Sequence, residues 1–283
     1  MPLPGAAASG VSATFTQALE ASCASHESHV CVGLDPDIDA LPAGFEPTPD
    51  DVLRFVTGIV EATAEFAAAY KPKSAFYEAM GPAGMEVLQA VIAAVPAGTP
   101  VILDAKRGDI GNTAERYATA CFEVLGAAAV TLSPYLGGDS LEPFLRRPDH
   151  GVFILCRTSN PGADDLQALT VDNRPLYLEV ARRCRGWNTA GNVGLVAGAT
   201  RPEDIVQVRK ACPGQPLLVP GVGAQGGDLE AATVAAAGPG YSHPFVVSAS
   251  RSVVGASREH DYQHAANAAA DDLRRSVNRA LDR

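Results

Sequence analysis

A charged segment near the middle of the sequence combines residue types that perform acid–base and electrostatic chemistry. The apolar run Val101–Leu103 has the character of a buried strand, and Asp104, Lys106 and Asp109 follow it in the pattern Asp-x-Lys-x-x-Asp. Because side chains alternate along a strand, Asp104 and Lys106 are predicted to share one face. A buried ion pair loses about as much by desolvation as it gains by attraction, so stability alone is a poor reason for this pair. The segment therefore indicates a functional site.

The residues after this segment are predicted to begin a helix. Asn112 or Thr113 is the expected N-cap, and the helix is expected to run from Thr113 to Leu125. Asp109 lies in the loop before that helix, where it is able to fold back over the end of the strand.

A second group of charged residues is the lysine pair Lys71 and Lys73. Pro72 between them cannot donate a hydrogen bond to a neighbouring strand, so it predicts the end of a strand or an edge. The two lysines share a face, and inward-facing lysines require partners such as Asp35, Asp104 or an anionic ligand. We interpret Lys71 as a functional residue and Lys73 as a structural or supporting one.

Eight apolar, strand-like runs alternate with helical patterns along the chain. The runs lie at about residues 29–35, 68–74, 100–106, 128–134, 151–158, 193–199, 216–222 and 245–251. Nearly continuous apolar strands separated by helices are typical of parallel sheets that are covered on both faces. The pattern predicts a (β/α)8 TIM barrel, with a doubly wound open sheet as the alternative. We expect a single domain over residues 1–283, with an N-terminal extension and helix at 1–28 and a C-terminal helix at 260–283.

This architecture also predicts where the chemistry takes place. Active sites of TIM barrels lie at the C-terminal ends of the strands. The polar residues at those ends are Asp35, Lys71, Asp104, Lys106, Arg157, Ser159, Gln225 and Arg251.

Two connections at this end of the barrel have the composition of binding segments. The glycine-rich turn Pro220–Asp228 allows backbone N–H groups to approach an anion, and Arg251 supplies a guanidinium at the end of the eighth strand, so the pair predicts a phosphate site. The long connection from Arg157 to about Asn173 is predicted to be a lid that carries Ser159 or Asn160, with a solvated insertion as the alternative.

Composition excludes several classes of partner. The net charge of −10 argues against nucleic acids and anionic membranes, and no run approaches the roughly 18 apolar residues of a membrane span. The six cysteines form no C-x-x-C pair, and Cys31 and Cys156 lie in apolar runs, so buried free thiols are expected. The histidines show no metal-ligand spacing, and no metal is expected. These features predict a cytoplasmic enzyme.

Taken together, the motifs resemble those of the orotidine 5′-monophosphate decarboxylases, and in particular their longer bacterial subgroup. The resemblance spans about residues 30–251 and includes Asp104-x-Lys-x-x-Asp-Ile-x-Asn-Thr113, Tyr70-Lys-Pro-x-x-Ala-Phe-Tyr-Glu78, Thr158-Ser-Asn-Pro-Gly162 and Pro220-Gly-Val-Gly-Ala-Gln-Gly-Gly227. It implies a TIM-barrel homodimer that converts orotidine 5′-monophosphate to UMP and CO₂ without a cofactor.

The resemblance also implies roles for individual residues. Lys106 would donate the proton to C6, Asp104 would face the departing carboxylate, and Lys71 would hold Asp104 and the ribose in register. Asp109 and Thr113 would reach across the dimer interface into the partner's site. The remaining implied contacts are Asp35 to the ribose, Ser159 to the pyrimidine, and Gln225 and Arg251 to the phosphate.

Two alternatives remain open at this point. Related enzymes that decarboxylate a sugar phosphate with magnesium share Asp-x-Lys-x-x-Asp, but they typically carry an acidic residue near the position of Lys71. A non-catalytic module that binds nucleotide phosphates would keep the glycine-rich turn, but it has no need for both Asp104 and Lys106.

Overall fold

The computed structural model describes residues 14–222, 226–241 and 243–282, and eight parallel strands form a barrel in that part of the chain. Numbered 1 to 8 in chain order, these strands are Val30–Leu34, Ala67–Pro72, Ile102–Arg107, Ala129–Leu132, Gly151–Arg157, Val193–Ala197, Leu217–Pro220 and Phe245–Ala249. The hydrogen-bonded order is 2-1-8-7-6-5-4-3. Bridges between Tyr70 and Val101 and between Lys73 and Asp104 join strands 2 and 3 and close the ring. The predicted (β/α)8 barrel is confirmed, and the open-sheet alternative is wrong because the ring closes.

Helices connect the strands and pack around the barrel. The α-helices are Phe15–Ser25, Pro49–Thr63, Ser74–Glu78, Gly81–Ala94, Gly111–Thr119, Gly138–Leu145, Asp164–Gln167, Leu176–Trp187, Pro202–Ala211, Leu229–Ala237, Arg251–Val254 and Tyr262–Leu281. Among the described residues, short 3₁₀ turns cover Ile38–Ala40, Pro161–Ala163 and Pro239–Tyr241, and a π-helical turn covers Ala120–Val124. Apolar side chains between the strands and the helices form the larger of two cores.

The helix after strand 3 begins earlier than the sequence predicts. It starts at Gly111 with Ile110 as N-cap, so the prediction of Asn112 or Thr113 as N-cap is wrong. Gly111 has a φ of +55°, a backbone conformation that glycine adopts freely, and the chain therefore turns into the helix before it reaches the polar residues. The predicted single helix also ends at Thr119 and continues as the π-helical turn.

The interior of the barrel is a second, smaller core that the N-terminal helix completes. Phe15 and Leu19 of that helix pack with residues from all eight strands, namely Cys31, Ala69, Ile102, Ala129, Phe153, Val196, Leu218 and Val246. The Phe15 ring meets the Phe153 ring edge-on, with 5.8 Å between centroids. It also lies so close to Gly151 that a Cβ there would collide with it. The helix therefore seals the end at which the strands begin, and the polar strand ends lie at the other.

The connection after strand 5 has secondary structure of its own. The sequence predicts a loop, but residues 161–175 contain a 3₁₀ turn, the helix Asp164–Gln167 and a two-residue hairpin, Thr170–Val171 with Arg174–Pro175. Asp172 and Asn173 turn the hairpin with φ angles of +49° and +62°. These residue types tolerate the left-handed region better than most.

Two further expectations concern thiols and membranes. All six cysteines are free, and Cys31 and Cys156 are buried, as predicted. In the described part of the chain, no helix combines the length and the apolar character needed to cross a bilayer.

Candidate active site

The Asp104 carboxylate is the centre of the polar cluster at the mouth of the barrel. Lys71 Nζ donates to its Oδ2 across 3.1 Å, and Lys106 Nζ donates to its Oδ1 across 2.6 Å. The Thr131 hydroxyl donates to the same Oδ1 across 2.9 Å. Lys71 and Asp104 are buried, whereas the Lys106 side chain is 48% exposed and lines a cavity beside Asp104. Strands 2, 3 and 4 thus bring two ammonium groups and a hydroxyl onto one carboxylate.

Mutual attraction keeps this cluster charged. Burial alone would raise the pKa of Asp104, but Lys71 and Lys106 outweigh it and hold the pKa of Asp104 well below its ordinary value. Burial would likewise lower the pKa of Lys71, but Asp104 and Asp35 raise it above the ordinary value for lysine. Asp104 is therefore an anion and Lys71 a cation at neutral pH.

A second ion pair lies beside the first. Lys73, the residue after strand 2, donates from Nζ to Asp35 Oδ2 across 2.9 Å. Lys71 and Lys73 therefore bind two different carboxylates. The sequence predicted that the two lysines need partners such as Asp35, Asp104 or an anionic ligand, and the structure pairs Lys71 with Asp104 and Lys73 with Asp35. Asp35 is buried, and its Oδ1 has no hydrogen-bond partner among the described residues. Since an unpaired buried acceptor is costly, Oδ1 is suited to accept a hydrogen bond from a ligand.

Two adjoining cavities open beside these ion pairs, and both are lined by Lys71, Lys73 and Pro220. One, of about 400 Å³, is also lined by Asp35, Asp37, Phe76, Gly221, Val222, Ser248, Ser250, Arg251 and Ser252. The other, of about 240 Å³, is also lined by Asp104, Lys106, Thr131, Leu155, Thr158, Ser159, Asn160, Val196 and Leu218. An elongated ligand is thus able to place one end at Arg251 and the other at Lys106.

Ser159 reaches the smaller cavity from the segment after strand 5. It packs on Gly198 so closely that a Cβ at position 198 would overlap the serine. Gln167 holds the start of this segment, since its side chain accepts from the Thr158 N–H across 2.9 Å and donates to the Thr158 hydroxyl across 2.7 Å. The sequence assigned no role to Gln167, and these two hydrogen bonds show that it holds Thr158 in place.

Arg157 fastens the same segment to the barrel. Its buried guanidinium donates to Asp204 and to Asp164, each across 2.7 Å. Arg201 donates to the other oxygen of Asp164 across 2.6 Å, and Tyr177 donates to Asp204 across 3.0 Å. Arg157 therefore serves as a structural anchor for the segment that carries Ser159, and Asp164 and Asp204 are partners that the sequence did not single out.

The predicted phosphate-binding residues are only partly described. Arg251 lines the larger cavity, as the first residue of the short helix Arg251–Val254 rather than the last of strand 8. Gln225 lies outside the described residues. On either side of that gap, Val222 pairs with Gly227, and Gly221, with a φ of +97°, accepts from the Gly227 N–H across 3.2 Å.

Asp109 and Thr113 do not line either cavity of their own chain. Asp109 is half-buried, and its Oδ1 accepts from the Ile110 N–H across 2.8 Å. Thr113 is exposed. The structure therefore does not bring these two residues together with Asp104 and Lys106 within one chain.

Thr131 is the residue of the cluster that the sequence did not predict. It lies in the middle of strand 4 and is buried. A polar residue inside an otherwise apolar strand was the available sign, but it does not reveal which neighbour the hydroxyl contacts. Within the described residues, His, Cys, Asp and Glu side chains form no group of three or more suited to hold a metal ion.

Comparisons with known proteins agree with this geometry. Residues 28–266 match the family described as orotidine 5′-phosphate decarboxylase / HUMPS. The chain is 51% identical over 269 residues to the orotidine 5′-phosphate decarboxylase of Roseiflexus castenholzii, a match that covers 94% of this chain and 98% of that one.

Solved structures give the same result. The OMP decarboxylase of Leishmania donovani superimposes with a TM-score of 0.83 at 42% identity, covering 95% of this chain and 98% of that one. The UMP synthase of the same organism has a TM-score of 0.85 at 44% identity; it covers 94% of this chain, which spans only 56% of that longer protein. From the matched family, the curated relative and the shared barrel, the chain belongs to the orotidine 5′-phosphate decarboxylase / HUMPS family, and within it to the decarboxylases.

Proposed function

We propose that this chain converts orotidine 5′-monophosphate to UMP and CO₂, the last step in the synthesis of UMP, without a metal or an organic cofactor. The observation that carries the proposal is the arrangement at Asp104, where Lys71 and Lys106 bind opposite oxygens of one buried carboxylate. Family membership and the names of relatives at about half identity support the same reaction. The reaction fits the predicted cytoplasmic location.

The chemistry requires a cation at the carbon that loses CO₂. The bond between C6 and the carboxylate breaks, the electron pair stays on C6, and CO₂ leaves. Lys106 then gives a proton from Nζ to C6, which forms the C–H bond of UMP, and regains a proton from water. At about 4 Å and an effective dielectric near 20, a contact between unit charges is worth of order 4 kcal/mol, so a fixed ammonium stabilises the carbanion substantially.

Asp104 and Lys71 prepare Lys106 for this step. Asp104 faces the departing carboxylate and holds the Lys106 ammonium, while Lys71 fixes Asp104 from the opposite side. Because both oxygens of Asp104 are bound by ammonium groups, positive charge at this site comes from the chain itself. This arrangement disfavours the magnesium-dependent relatives, in which a carboxylate near the position of Lys71 helps to bind the metal.

The two cavities accommodate the rest of the nucleotide. In this proposal the phosphate binds Arg251 in the larger cavity, together with Gln225 and backbone N–H groups of the glycine-rich turn. The ribose lies where the cavities meet and donates to Asp35. The pyrimidine occupies the smaller cavity against Ser159, with C6 at Lys106. Binding energy at the distant phosphate then positions the ring for reaction.

We further propose that the site is completed by a second copy of the chain. Ile110 is 57% exposed, and the loop after strand 4 adds Tyr135, which is 82% exposed, and Leu136, which is 48% exposed. The Ser133 N–H donates to the Arg107 carbonyl oxygen and joins the two loops, so these apolar residues follow strands 3 and 4 at the end of the barrel where the cluster lies. A homodimer that buries them would bring Asp109 and Thr113 of each chain to the partner's Lys106.

The decisive experiment follows the ultraviolet absorbance of orotidine 5′-monophosphate with EDTA present. The wild-type protein is expected to consume the substrate, and Lys106→Ala to lose at least about a thousandfold in kcat while still binding UMP. Lys210→Ala, which changes an exposed lysine on the helix Pro202–Ala211, is the matched control and should retain full activity. A folded wild-type protein that binds UMP but releases no CO₂ would be a binding module. Activity that EDTA abolishes would point to the magnesium-dependent relatives.

The dimer is tested by mixing two inactive variants, Lys106→Ala and Asp109→Ala. If Asp109 acts in the partner's site, half of the randomly mixed dimers carry one intact site of two, so about a quarter of wild-type activity returns. If Asp109 acts within its own chain, no mixed dimer contains an intact site, and the mixture stays inactive.

A further inference from the structure

The strand that carries the reactive residues is irregular at the point where they lie. Strand 3 pairs regularly with strand 4 through Leu103 and Val130, and the next pair is Arg107 with Leu132. Three residues, Asp104, Ala105 and Lys106, therefore stand opposite Thr131 alone. Bulges of this kind redirect side chains and are common next to active sites.

Lys106 itself has an unusual backbone conformation. Its φ is +48°, which lies in the left-handed region that residues other than glycine rarely adopt. Such a conformation persists only where neighbouring groups hold it. The Lys106 side chain is too exposed to supply that restraint by packing. Another group must hold the backbone in place.

The Thr131 hydroxyl is the group that does so. Its Oγ1 accepts a hydrogen bond from the Lys106 N–H across 2.9 Å and donates one to Asp104 Oδ1 across 2.9 Å. The directions are fixed by chemistry, because a backbone N–H only donates and an ionised carboxylate only accepts. Thr131 is 1% exposed, so water does not compete for these bonds. One hydroxyl thus connects the strained backbone of Lys106 to the carboxylate that its ammonium contacts.

We propose that Thr131 is a positioning residue for the decarboxylation, an inference that rests on the proposed function. It sets the Lys106 backbone so that Nζ stays beside Asp104 and is aimed at the reacting carbon. A long lysine side chain moves its amino group whenever its backbone rotates, and small displacements of a reacting group cost large factors in rate. Thr131 lines the smaller cavity, where the reacting carbon would lie, and not the larger one, so losing its hydroxyl is expected to affect the chemical step more than binding of the phosphate.

The test compares Thr131→Val, which removes the hydroxyl at nearly constant shape, with Thr131→Ser, which keeps it. Thr131→Val is expected to lower kcat by about tenfold to a hundredfold and to leave KM within about twofold, since two buried hydrogen bonds are lost at the reacting group only. Thr131→Ser should recover most of that loss. Thr233→Val is the matched control, because the Thr233 hydroxyl is buried in the helix Leu229–Ala237 and has no hydrogen-bond partner among the described residues. If Thr131→Val does not fold, Thr131→Ala takes its place, with the same split between kcat and KM expected.

A crystal structure of Thr131→Val gives a readout that does not depend on turnover. The φ of Lys106 is expected to leave the left-handed region, and the distance from Lys106 Nζ to Asp104 Oδ1 to exceed hydrogen-bonding range. Unchanged Lys106 geometry together with unchanged kcat would overturn the positioning role. A wild-type protein that fails to release CO₂ would instead overturn the proposed function, while the structure of the variant still decides whether Thr131 holds Lys106.

Discussion

Lys73 Nζ donates a hydrogen bond to Asp35 Oδ2 across 2.9 Å, and this contact joins the ends of strands 1 and 2 at the mouth of the barrel. The backbone of Lys73 also pairs with that of Asp104, so the residue adjoins both carboxylates of the site. The sequence suggested only a structural or supporting role for it. Its position where the two cavities meet points to an effect on substrate binding.

We expect Lys73→Ala to raise KM for orotidine 5′-monophosphate by about tenfold and to change kcat less. Without Lys73, the Asp35 carboxylate loses the partner that orients it, so its other oxygen would no longer be held in place for the ribose of the proposed complex. Steady-state kinetics measure both constants, and Lys210→Ala is the control for loss of one lysine. A KM equal to that of the wild type would show that Asp35 is oriented without Lys73.

The ion pair between Lys71 and Asp104 should contribute to stability as well as to chemistry. Asp104→Asn leaves the buried Lys71 ammonium without its anionic partner, so we expect the free energy of unfolding at neutral pH to fall by about 3 kcal/mol. Urea denaturation of the two proteins measures the difference. Equal stabilities would mean that Lys71 sheds its proton or finds another partner at little cost.

The pH dependence of that difference follows from the lowered pKa of Asp104. A carboxyl group whose pKa is lower in the folded than in the unfolded state stabilises the fold above its unfolded pKa, near 4. The stability advantage over Asp104→Asn should therefore be constant from pH 8 to about pH 5 and shrink as the pH falls further. An advantage that grew on acidification would contradict the lowered pKa.

The contact between Arg157 and Asp164 makes a prediction about motion. Asp164→Asn weakens the bonds from Arg157 and Arg201, so amide hydrogen exchange across residues 158–175 should quicken by about fivefold or more. Asp165→Asn, an exposed neighbour on the same helix, is the control. Exchange elsewhere in the barrel should stay unchanged. Identical exchange in the two variants would show that the segment is held by other contacts.

Phe15 provides a test of the seal at the other end of the barrel. Phe15→Ala opens a hole beside Phe153 and Gly151, and we expect it to lower the free energy of unfolding by about 3–5 kcal/mol. Phe15→Leu keeps most of the apolar volume and should cost less than about half as much. Urea denaturation distinguishes the two. A loss below about 1 kcal/mol for Phe15→Ala would mean that the N-terminal helix packs only loosely.

The regular parts of the fold were predictable because their patterns are local. Each predicted barrel strand overlaps an observed one, and the helix Tyr262–Leu281 lies within the segment 260–283 that was predicted to be helical. Pro72 ends strand 2 as expected, because proline cannot donate to the next strand.

The irregular features depend on partners that are distant in sequence. Alternation correctly placed Lys106 next to Asp104, but the bulge opposite Thr131 and the positive φ of Lys106 arise from the register between strands 3 and 4. The helix Asp164–Gln167 is too short to persist alone. Arg157 binds both Asp164 of this helix and Asp204, which lies 47 positions after Arg157 in the sequence. Patterns within a segment contain no information on such contacts.

The N-terminal helix also determines how the gaseous product leaves. Phe15 and Leu19 fill the barrel axis from the end where the strands begin, so in the described part of the chain this end of the axis is closed. In the proposed reaction, CO₂ forms deep beside Asp104 and must escape through the same opening by which the nucleotide entered. The segment that carries Ser159 borders that opening. In that reaction the small product and the nucleotide therefore share one opening, and CO₂ would have to pass the bound nucleotide on its way out.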